Sequence, residues 1–370
     1  MTTQGYAAEP VQRSFGRALE LCNRYEEAPR LFSALNGLWA YNLVRGDAER
    51  TPALVSRLMD VAESSGSERR LLFGHHAVGT TAFYAGQLEK AHPALREASE
   101  RCERASAEGS EGPAWQRHAG TAPMYLGWCL HLLGRPEEAL AWKTRGLELA
   151  EQLRDVDAHV EAMTYGVALH HDRREPEAVL ELSARIVPLC EEYGLDFWLS
   201  VAKACRGWAR FQVGEHVSGL AEIDAGLSLF YRSGALCPLV YRACYVAEAH
   251  LLAGRSKDGI AALDDAFERA PHRLDRFYDA EAHRLRGELF ALEGATEEAE
   301  AELTRAAQIA RAQAARLFEL RTAASLVRLR RGTPRVSEAL ASLRSAYDAF
   351  EGGYDLLDLV EARTLLEEEG

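Results

Sequence analysis

The chain has 370 residues, 47% of them apolar, and a formal net charge of −13 from 43 basic and 56 acidic side chains. That length accommodates two or three ordinary domains or one long repeat array. The acidic excess argues against binding to a nucleic-acid phosphate backbone, and no apolar run reaches the roughly 18 residues that span a bilayer. The chain does not open on a basic segment followed by an apolar core, so we expect a cytoplasmic protein that binds neither nucleic acid nor membrane.

Helical periodicity extends along almost the whole chain. Apolar residues recur at three- and four-residue spacing, which indicates amphipathic helices, and short polar turns divide them. In chain order, these turns are YNLVRGD (41–47), FYAGQ (83–87), HLLGRP (131–136), HHDRREP (170–176), FQVGE (211–215), LLAGR (251–255), ALEGA (291–295) and RLRRGTP (328–334). The turn glycines Gly214, Gly254 and Gly294 are 40 residues apart, which indicates a repeat.

Two small residues flank six of these turns, and in each case they are twelve residues apart. The pairs are Gly79/Ala91, Gly127/Ala139, Gly166/Ala178, Gly207/Gly219, Ala247/Gly259 and Gly287/Ala299. Two antiparallel helices joined by a short turn bring such positions face to face, where the missing side chains let the helix axes approach closely. The pattern matches the tetratricopeptide repeat (TPR), which has small residues at its eighth and twentieth positions.

We therefore predict an all-α fold, a right-handed TPR-like superhelical solenoid of about eight helix–turn–helix repeats with a period near 40 residues. A single domain is expected over 1–370, with matched repeats at about 71–312 and degenerate end repeats at about 14–66 and 316–370. The usual TPR period is 34, so longer second helices or longer joints are expected here. One interval is lengthened to 48 residues by the polar stretch 102–117, which we predict to be an exposed loop.

Five stretches resemble one family, the C-terminal tetratricopeptide region of large bacterial signalling proteins. They are LFSALNGLWAYNLVRGD (31–47), HHAVGTTAFYAGQLEKA (75–91), AEAHRLRGELFALEG (280–294), EAEAELTRAAQIARAQAARLFELRTAASLVRL (298–329) and GYDLLDLVEARTLLEE (353–368). Proteins of that family join a nucleotide-cyclase or DNA-binding domain to an AAA/STAND-type ATPase and then to the repeat array. The resemblance covers nearly the whole chain and implies sensing or protein interaction in bacterial signalling. Because no GxxxxGK[ST] loop occurs, it implies the array alone, without ATP hydrolysis.

The small residues also set a register that predicts which side chains face the concave groove. With the small residue at position eight, positions two, five, nine and twelve of each first helix point inward. The candidate ligand-binding residues are Phe73, His76, Phe83, Met124, Trp128, His131, Met163, His170, Trp208, Phe211, Tyr241, Glu248, Arg284 and Glu288. An aromatic groove rimmed by charge is typical of a ligand or peptide site, whereas a register wrong by one residue would place these aromatic rings in the core between repeats.

Three of these candidates are histidines that could ligate a divalent metal with one position open: His76, His131 and His170. HExxH is absent, and no carboxylate accompanies the histidines in the inward set, so we expect hydrogen-bonded or solvated groove histidines and no metal. No GxSxG motif or Cys/His signature indicates catalysis. The seven cysteines are scattered without a CxxC pair, which favours buried free thiols in a reducing compartment.

Three functions remain open at this point. The first, which we predict, is a non-catalytic binding or sensor module without a cofactor that holds a peptide, a protein segment or a small-molecule effector in its groove. The second is an enzyme, or a metal- or cofactor-dependent protein, that uses the aromatic and histidine-lined groove as its active site. The third is a self-assembling scaffold, a homo-oligomer formed through the apolar faces that solenoid ends expose.

Overall fold

The computed structural model describes residues 7–25, 28–107, 120–153 and 155–369, and this described part of the chain contains eighteen helices and no named strand. The helices are α1 (Glu9–Tyr25), α2 (Ala28–Val44), α3 (Arg50–Ser65), α4 (Glu68–Tyr84), α5 (Leu88–Ala107), α6 (Thr121–Leu132), α7 (Pro136–Gln152), α8 (Val156–Asp172), α9 (Pro176–Tyr193), α10 (Asp196–Gln212), α11 (His216–Arg232), α12 (Leu239–Leu252), α13 (Ser256–Arg269), α14 (Asp279–Leu292), α15 (Thr296–Gln313), α16 (Arg316–Arg330), α17 (Val336–Asp348) and α18 (Leu357–Glu369). Among them, none combines the length and the apolar character needed to cross a membrane.

Consecutive helices pack in pairs, and the pairs stack along the chain. α2 packs with α3, α4 with α5, and so on to α16 with α17, while the first helix of each pair from α6 onward also contacts the first helix of the next pair. The turns within pairs place glycine in the left-handed region, as at Gly214, Gly254 and Gly294 with φ of 94°, 70° and 77°. Glycine is favoured there because a Cβ would strain that backbone conformation. The predicted all-α repeat solenoid is confirmed.

Backbone meets backbone closely where α10 crosses α11. A Cβ built on Gly207 would lie 2.6 Å from the Gly219 carbonyl oxygen and 2.6 Å from the Ile223 backbone nitrogen. A Cβ built on Gly219 would in turn lie 2.7 Å from the Gly207 carbonyl oxygen. The predicted face-to-face contact also occurs between Gly127 and Ala139. Close approach of the helix axes is therefore the structural reason for glycine inside these helices.

The repeat array curves so strongly that its two halves meet along a seam. The turns after α2, α4 and α6 contact the joints that follow α11, α13 and α17. Backbone hydrogen bonds across the seam run from the N–H of Cys237 to Val44 (3.0 Å), of Leu274 to Gly46 (2.8 Å), of Phe277 to Tyr84 (3.1 Å) and of Glu351 to Gly134 (2.8 Å). The concave side is consequently a closed interior over much of its length and not an open groove.

The segment predicted as an exposed loop at 102–117 begins as part of a helix. α5 continues through Ala107, and the Cys102 side chain is fully buried, so residues 102–107 belong to the helix. The remainder of the predicted loop lies outside the described residues. All seven cysteines of the chain are free and buried.

One buried carboxyl in the seam makes the stability of the fold dependent on pH. Asp275, in the joint between α13 and α14, is 1% exposed. Burial raises its pKa to about 7, with Arg273 opposing the rise and Asp279 adding to it. Because the folded-state pKa lies above the ordinary value, the contribution of the neutral Asp275 carboxyl to stability is fully present below about pH 4 and is lost as the pH rises through 7.

We expect Asp275→Asn to stabilise the protein at pH 8 by about 2–4 kcal/mol relative to the native chain, because asparagine removes the buried charge that forms at that pH. Urea unfolding at pH 5 and pH 8 measures this, and the gain should be much smaller at pH 5. Asp60→Asn, an exposed change on α3, is the control and should have little effect at either pH. An equal gain at both pH values for Asp275→Asn would contradict the prediction.

Candidate functional site

An aromatic plug occupies the middle of the closed interior. It consists of Phe83, Trp128, Tyr241, Phe277 and Tyr278, each at most 2% exposed. Its ring centroids lie 4.9 Å apart for Phe83 and Phe277, 5.3 Å for Trp128 and Tyr241, and 4.5 Å for Tyr241 and Tyr278. These are ordinary packing distances for aromatic pairs. The rings thus fill the interior where the sequence predicts an open aromatic groove, because the seam brings the joint residues Phe277 and Tyr278 onto them.

An apolar pocket of about 660 Å³ opens on one side of the plug. Its walls come from α1, α2, α4, α6, α8, α10 and α12, together with the joint before α12. Its aromatic lining residues are Phe15, Phe32, Trp39, Phe73, Tyr84, Tyr125, Trp128, Tyr165, Phe197, Trp198 and Tyr241. Pockets of 300–1,000 Å³ with mostly apolar walls are typical of sites for drug-sized ligands.

Three tyrosines form a hydrogen-bonded ladder across the wall of the pocket. The Tyr84 and Tyr125 hydroxyls lie 2.8 Å apart, and those of Tyr125 and Tyr165 lie 2.6 Å apart. Burial raises the pKa of each phenol above its usual value, so the three hydroxyls remain neutral at physiological pH. The ladder fixes three rings on successive repeats at spacings of 41 and 40 residues.

Three described polar side chains on the pocket wall retain unused hydrogen-bonding capacity. Thr80 is 1% exposed, and its hydroxyl has no hydrogen-bond partner within the described residues. The side-chain oxygen of Asn36, which also lines the pocket, likewise has no hydrogen-bond partner within the described residues. On α12, Arg242 is 2% exposed, and its Nε and Nη1 are buried without a hydrogen-bond acceptor among the described residues. Buried polar groups are normally hydrogen-bonded, so these atoms mark the pocket wall as able to receive a polar ligand.

A smaller charged cleft of about 140 Å³ lies in another part of the interior. Its titratable lining residues are His171, Arg174, Glu248, Glu281, Arg284, Glu288, Arg321, Arg328, Asp358 and Glu361. Opposite charges pair closely there: the Arg321 guanidinium donates to Asp358 at 2.9 Å and Arg284 lies 2.8 Å from Glu288. The cleft residues therefore satisfy one another and join α8, α14, α16 and α18.

His171 links this charged cleft to the plug. Its ring centroid lies 5.7 Å from that of Tyr241 and 4.5 Å from that of Trp208. Burial opposes protonation of the imidazole, but the neighbouring carboxylates of Asp172 and Glu248 outweigh it and raise its pKa.

The fourteen predicted groove residues divide into three groups. Phe73, His76, Trp128 and Tyr241 line the apolar pocket. Glu248, Arg284 and Glu288 line the charged cleft. The third group lines neither cavity and consists of Phe83, Met124, His131, Met163, His170, Trp208 and Phe211. Seven of the fourteen residues therefore line one of the two cavities, and closure of the superhelix buries side chains that an open groove would expose.

The repeat formed by α8 and α9 departs from the predicted register by about one residue. His171 lines the charged cleft, whereas His170 lies beside Lys143 Nζ at 3.0 Å and Glu175 at 2.5 Å, on the side facing α7. In the same helix, Thr164 and Tyr165 face the pocket in place of Met163. The expected inward position of His170 and Met163 is therefore wrong.

The three candidate metal ligands lie in separate environments. His76 packs edge-on between Trp39 and Tyr125, and burial lowers its pKa to about 4. Burial likewise lowers the pKa of His131 to about 4. Within the described residues, no group of three His, Cys, Asp or Glu side chains is placed to hold a metal ion.

Several pocket residues are missing from the sequence-based set. Phe15, Phe32 and Trp39 belong to the first helices, where no small-residue pair sets the register. The tyrosines of the ladder carried no usable repeat signal, because Tyr84 and Tyr125 are 41 residues apart where the small residues of the same two repeats are 48 apart. No sequence signal pointed to Arg242 either, since an arginine next to an inward position is typical of a solvated helix face.

Comparisons with known proteins agree with this architecture. No family model matches the chain. A Rap protein, solved in complex with competence and sporulation factor, superposes with a TM-score of 0.57 at 13% identity, covering 98% of this chain and 99% of that one. The apo form of RapI gives a TM-score of 0.50 at 13% identity over 80% of this chain and 99% of that one. Yeast Tom70 gives 0.50 at 13% identity over 96% and 83%. The fold is thus that of TPR-like solenoids.

One relative is similar in sequence. It is an uncharacterized protein of Rhizobium meliloti (strain 1021), 24% identical over 320 residues, which are 85% of this chain. The chain spans only 30% of the length of that relative.

Proposed function

We propose that this protein is a non-catalytic binding module that holds a short peptide or a small organic effector in the apolar pocket. The observation that carries this proposal is the pocket itself, about 660 Å³ with eleven aromatic residues in its wall and several unused polar groups. Such a cavity has the size and composition of a ligand site, and it is too small for a folded partner. The charged cleft does not compete for this role, because its side chains already pair with one another.

One structural neighbour supports ligand binding by an array of this fold. The Rap protein with a TM-score of 0.57 was solved as a complex with competence and sporulation factor. Its likeness in fold extends over nearly the full length of both chains, so an array of this length and curvature is able to hold a bound factor.

We further propose that the module acts as a sensor in bacterial regulation. The Rhizobium relative is much longer than this chain, so in that protein the matched region is one part of a larger polypeptide. Cys237 and Tyr84 line the pocket and also form hydrogen bonds across the seam. A ligand in the pocket can therefore change how the two halves of the array contact each other, and so transmit its binding.

The pocket proposal is tested with 8-anilinonaphthalene-1-sulfonate, whose fluorescence increases in apolar sites. We expect saturable binding of one molecule per chain and quenching of tryptophan fluorescence, since Trp39, Trp128 and Trp198 line the pocket. Ala40→Trp places a large ring in the cavity from the half-buried wall of α2 and should abolish this binding. Val217→Trp, at an 86% exposed position on α11, is the matched control and should leave it unchanged. Equal binding by both variants would refute the pocket as the site.

A further inference from the structure

Among the described residues, the buried Arg242 guanidinium has no carboxylate partner. It stacks on the ring of Phe230, whose centroid lies 4.5 Å from Cζ, and its charge acts on the nearby side chains of Tyr84, Cys237 and Tyr241. No ion pair or hydrogen bond joins the guanidinium to another described side chain, although the residue is 2% exposed. Burying an unpaired charge is costly, so proteins normally supply a carboxylate to such an arginine. Arg242 instead lines the apolar pocket, and its ring partner Phe230 lies outside the pocket lining.

The pocket as a whole has a positive balance in an acidic protein. Its lining contains Arg69, Arg70 and Arg242 against one acidic residue, Glu161. The two neighbouring arginines at the start of α4 are more exposed and form no ion pair with a described residue. Since acidic side chains outnumber basic ones by 56 to 43 over the chain, this local reversal of charge is a property of the pocket. It attracts anions toward the opening.

We infer that the ligand of the pocket is an apolar monocarboxylate, whose carboxylate pairs with Arg242 and whose apolar body packs against the aromatic wall. This inference rests on the proposed binding function and specifies the ligand class. An arginine matches a carboxylate in charge and geometry, and the pair is strong where water is excluded. The Thr80 hydroxyl could donate a hydrogen bond to the carboxylate, and an N–H of a peptide ligand could donate to the Asn36 side-chain oxygen.

The buried charge of the pocket wall favours a ligand with one negative charge over a phosphate ester, which carries two. Among the described residues of the wall, Arg242 is the single buried cation, and the tyrosine ladder is neutral. A dianionic phosphate would bring a second negative charge into an apolar site that has no second buried cation to balance it. Two sources supply the inferred chemistry, a fatty or aromatic acid and the free C-terminus of a short hydrophobic peptide.

The inference is tested by displacement of 8-anilinonaphthalene-1-sulfonate from the full chain. The probes are dodecanoate, dodecanol and dodecyl phosphate below their micelle concentrations, and a pentapeptide of leucine and phenylalanine with a free or an amidated C-terminus. We expect dodecanoate to bind at least about tenfold more tightly than dodecanol, or the free peptide than the amidated one, because the counterpart without a carboxylate loses a charge-assisted hydrogen bond. Which pair shows the difference identifies the source. Stronger binding of dodecyl phosphate than of either carboxylate would overturn the inference.

Arg242→Gln should abolish the preference for the carboxylate while the uncharged probes bind as before, and Arg242→Lys should retain part of it. The matched control is Arg269→Gln, because Arg269 also stacks on a ring, that of Tyr231 at 4.9 Å, but lies outside the pocket. Circular dichroism and the affinity for dodecanol show whether each variant remains folded.

The two proposals fail in different ways. If Arg242→Gln keeps the full carboxylate preference, the ligand class is wrong while the pocket can still be the site. If Ala40→Trp binds all probes like the native chain, the pocket is not the site, and the proposed function fails with the ligand class.

Discussion

Asp172→Ala is expected to lower the free energy of unfolding by about 3–5 kcal/mol, because it breaks a buried charged network. Asp172 ends α8 and is fully buried. Its carboxylate accepts hydrogen bonds from the Trp128 indole N–H at 2.6 Å and the Tyr278 hydroxyl at 2.5 Å, and His171 Nδ1 lies 3.1 Å away. Alanine leaves two buried donors and an imidazole without their acceptor, and each unsatisfied group adds a desolvation cost.

Urea unfolding followed by tryptophan fluorescence measures this loss. The control is Asp265→Ala, which removes an exposed carboxylate paired with Arg269 at 2.6 Å and should cost less than about 1 kcal/mol. Asp172→Asn should fall between the two, since the amide keeps one acceptor oxygen and loses the charge. A loss for Asp172→Ala no larger than that of the surface control would show that the network does not stabilise the interior.

Gly207→Ala is expected to destabilise the protein by about 2–3 kcal/mol, although alanine is the better helix former. The added methyl group would lie 2.6 Å from backbone atoms of Gly219 and Ile223, which cannot move without separating α10 from α11. The strain of overpacking therefore outweighs the gain in helix propensity.

Thermal and urea unfolding of Gly207→Ala should be compared with those of Gly16→Ala. Gly16 lies inside α1, and a Cβ there would meet no atom within 4 Å, so the same substitution should stabilise by about 0.5–1 kcal/mol. Opposite signs for the two changes are expected. A stabilising Gly207→Ala would mean that the close approach of the two helices is not the reason for glycine at this position.

The candidate site was only partly predictable from sequence. The small-residue register identified Phe73, His76, Trp128 and Tyr241 on the pocket wall, because positions on one face of a helix follow from its period. The register failed where local geometry shifts by one residue, as at His170. It also gave no information on whether an inward side chain meets solvent or another helix, which depends on how far the superhelix curves.

The repeat architecture follows from patterns that are local in the sequence. Helix periodicity, turn glycines and paired small residues twelve positions apart are local patterns, and each depends on contacts between neighbouring helices. Only the tertiary structure decided that the array closes along a seam, that a plug divides its interior, and that Arg242 faces an apolar pocket. The physical reason is that a small rotation per repeat accumulates over the array. The accumulated rotation brings together residues such as Arg45 and Gly234, which are 189 positions apart and are joined by a hydrogen bond of 2.8 Å. No local sequence pattern specifies the total rotation.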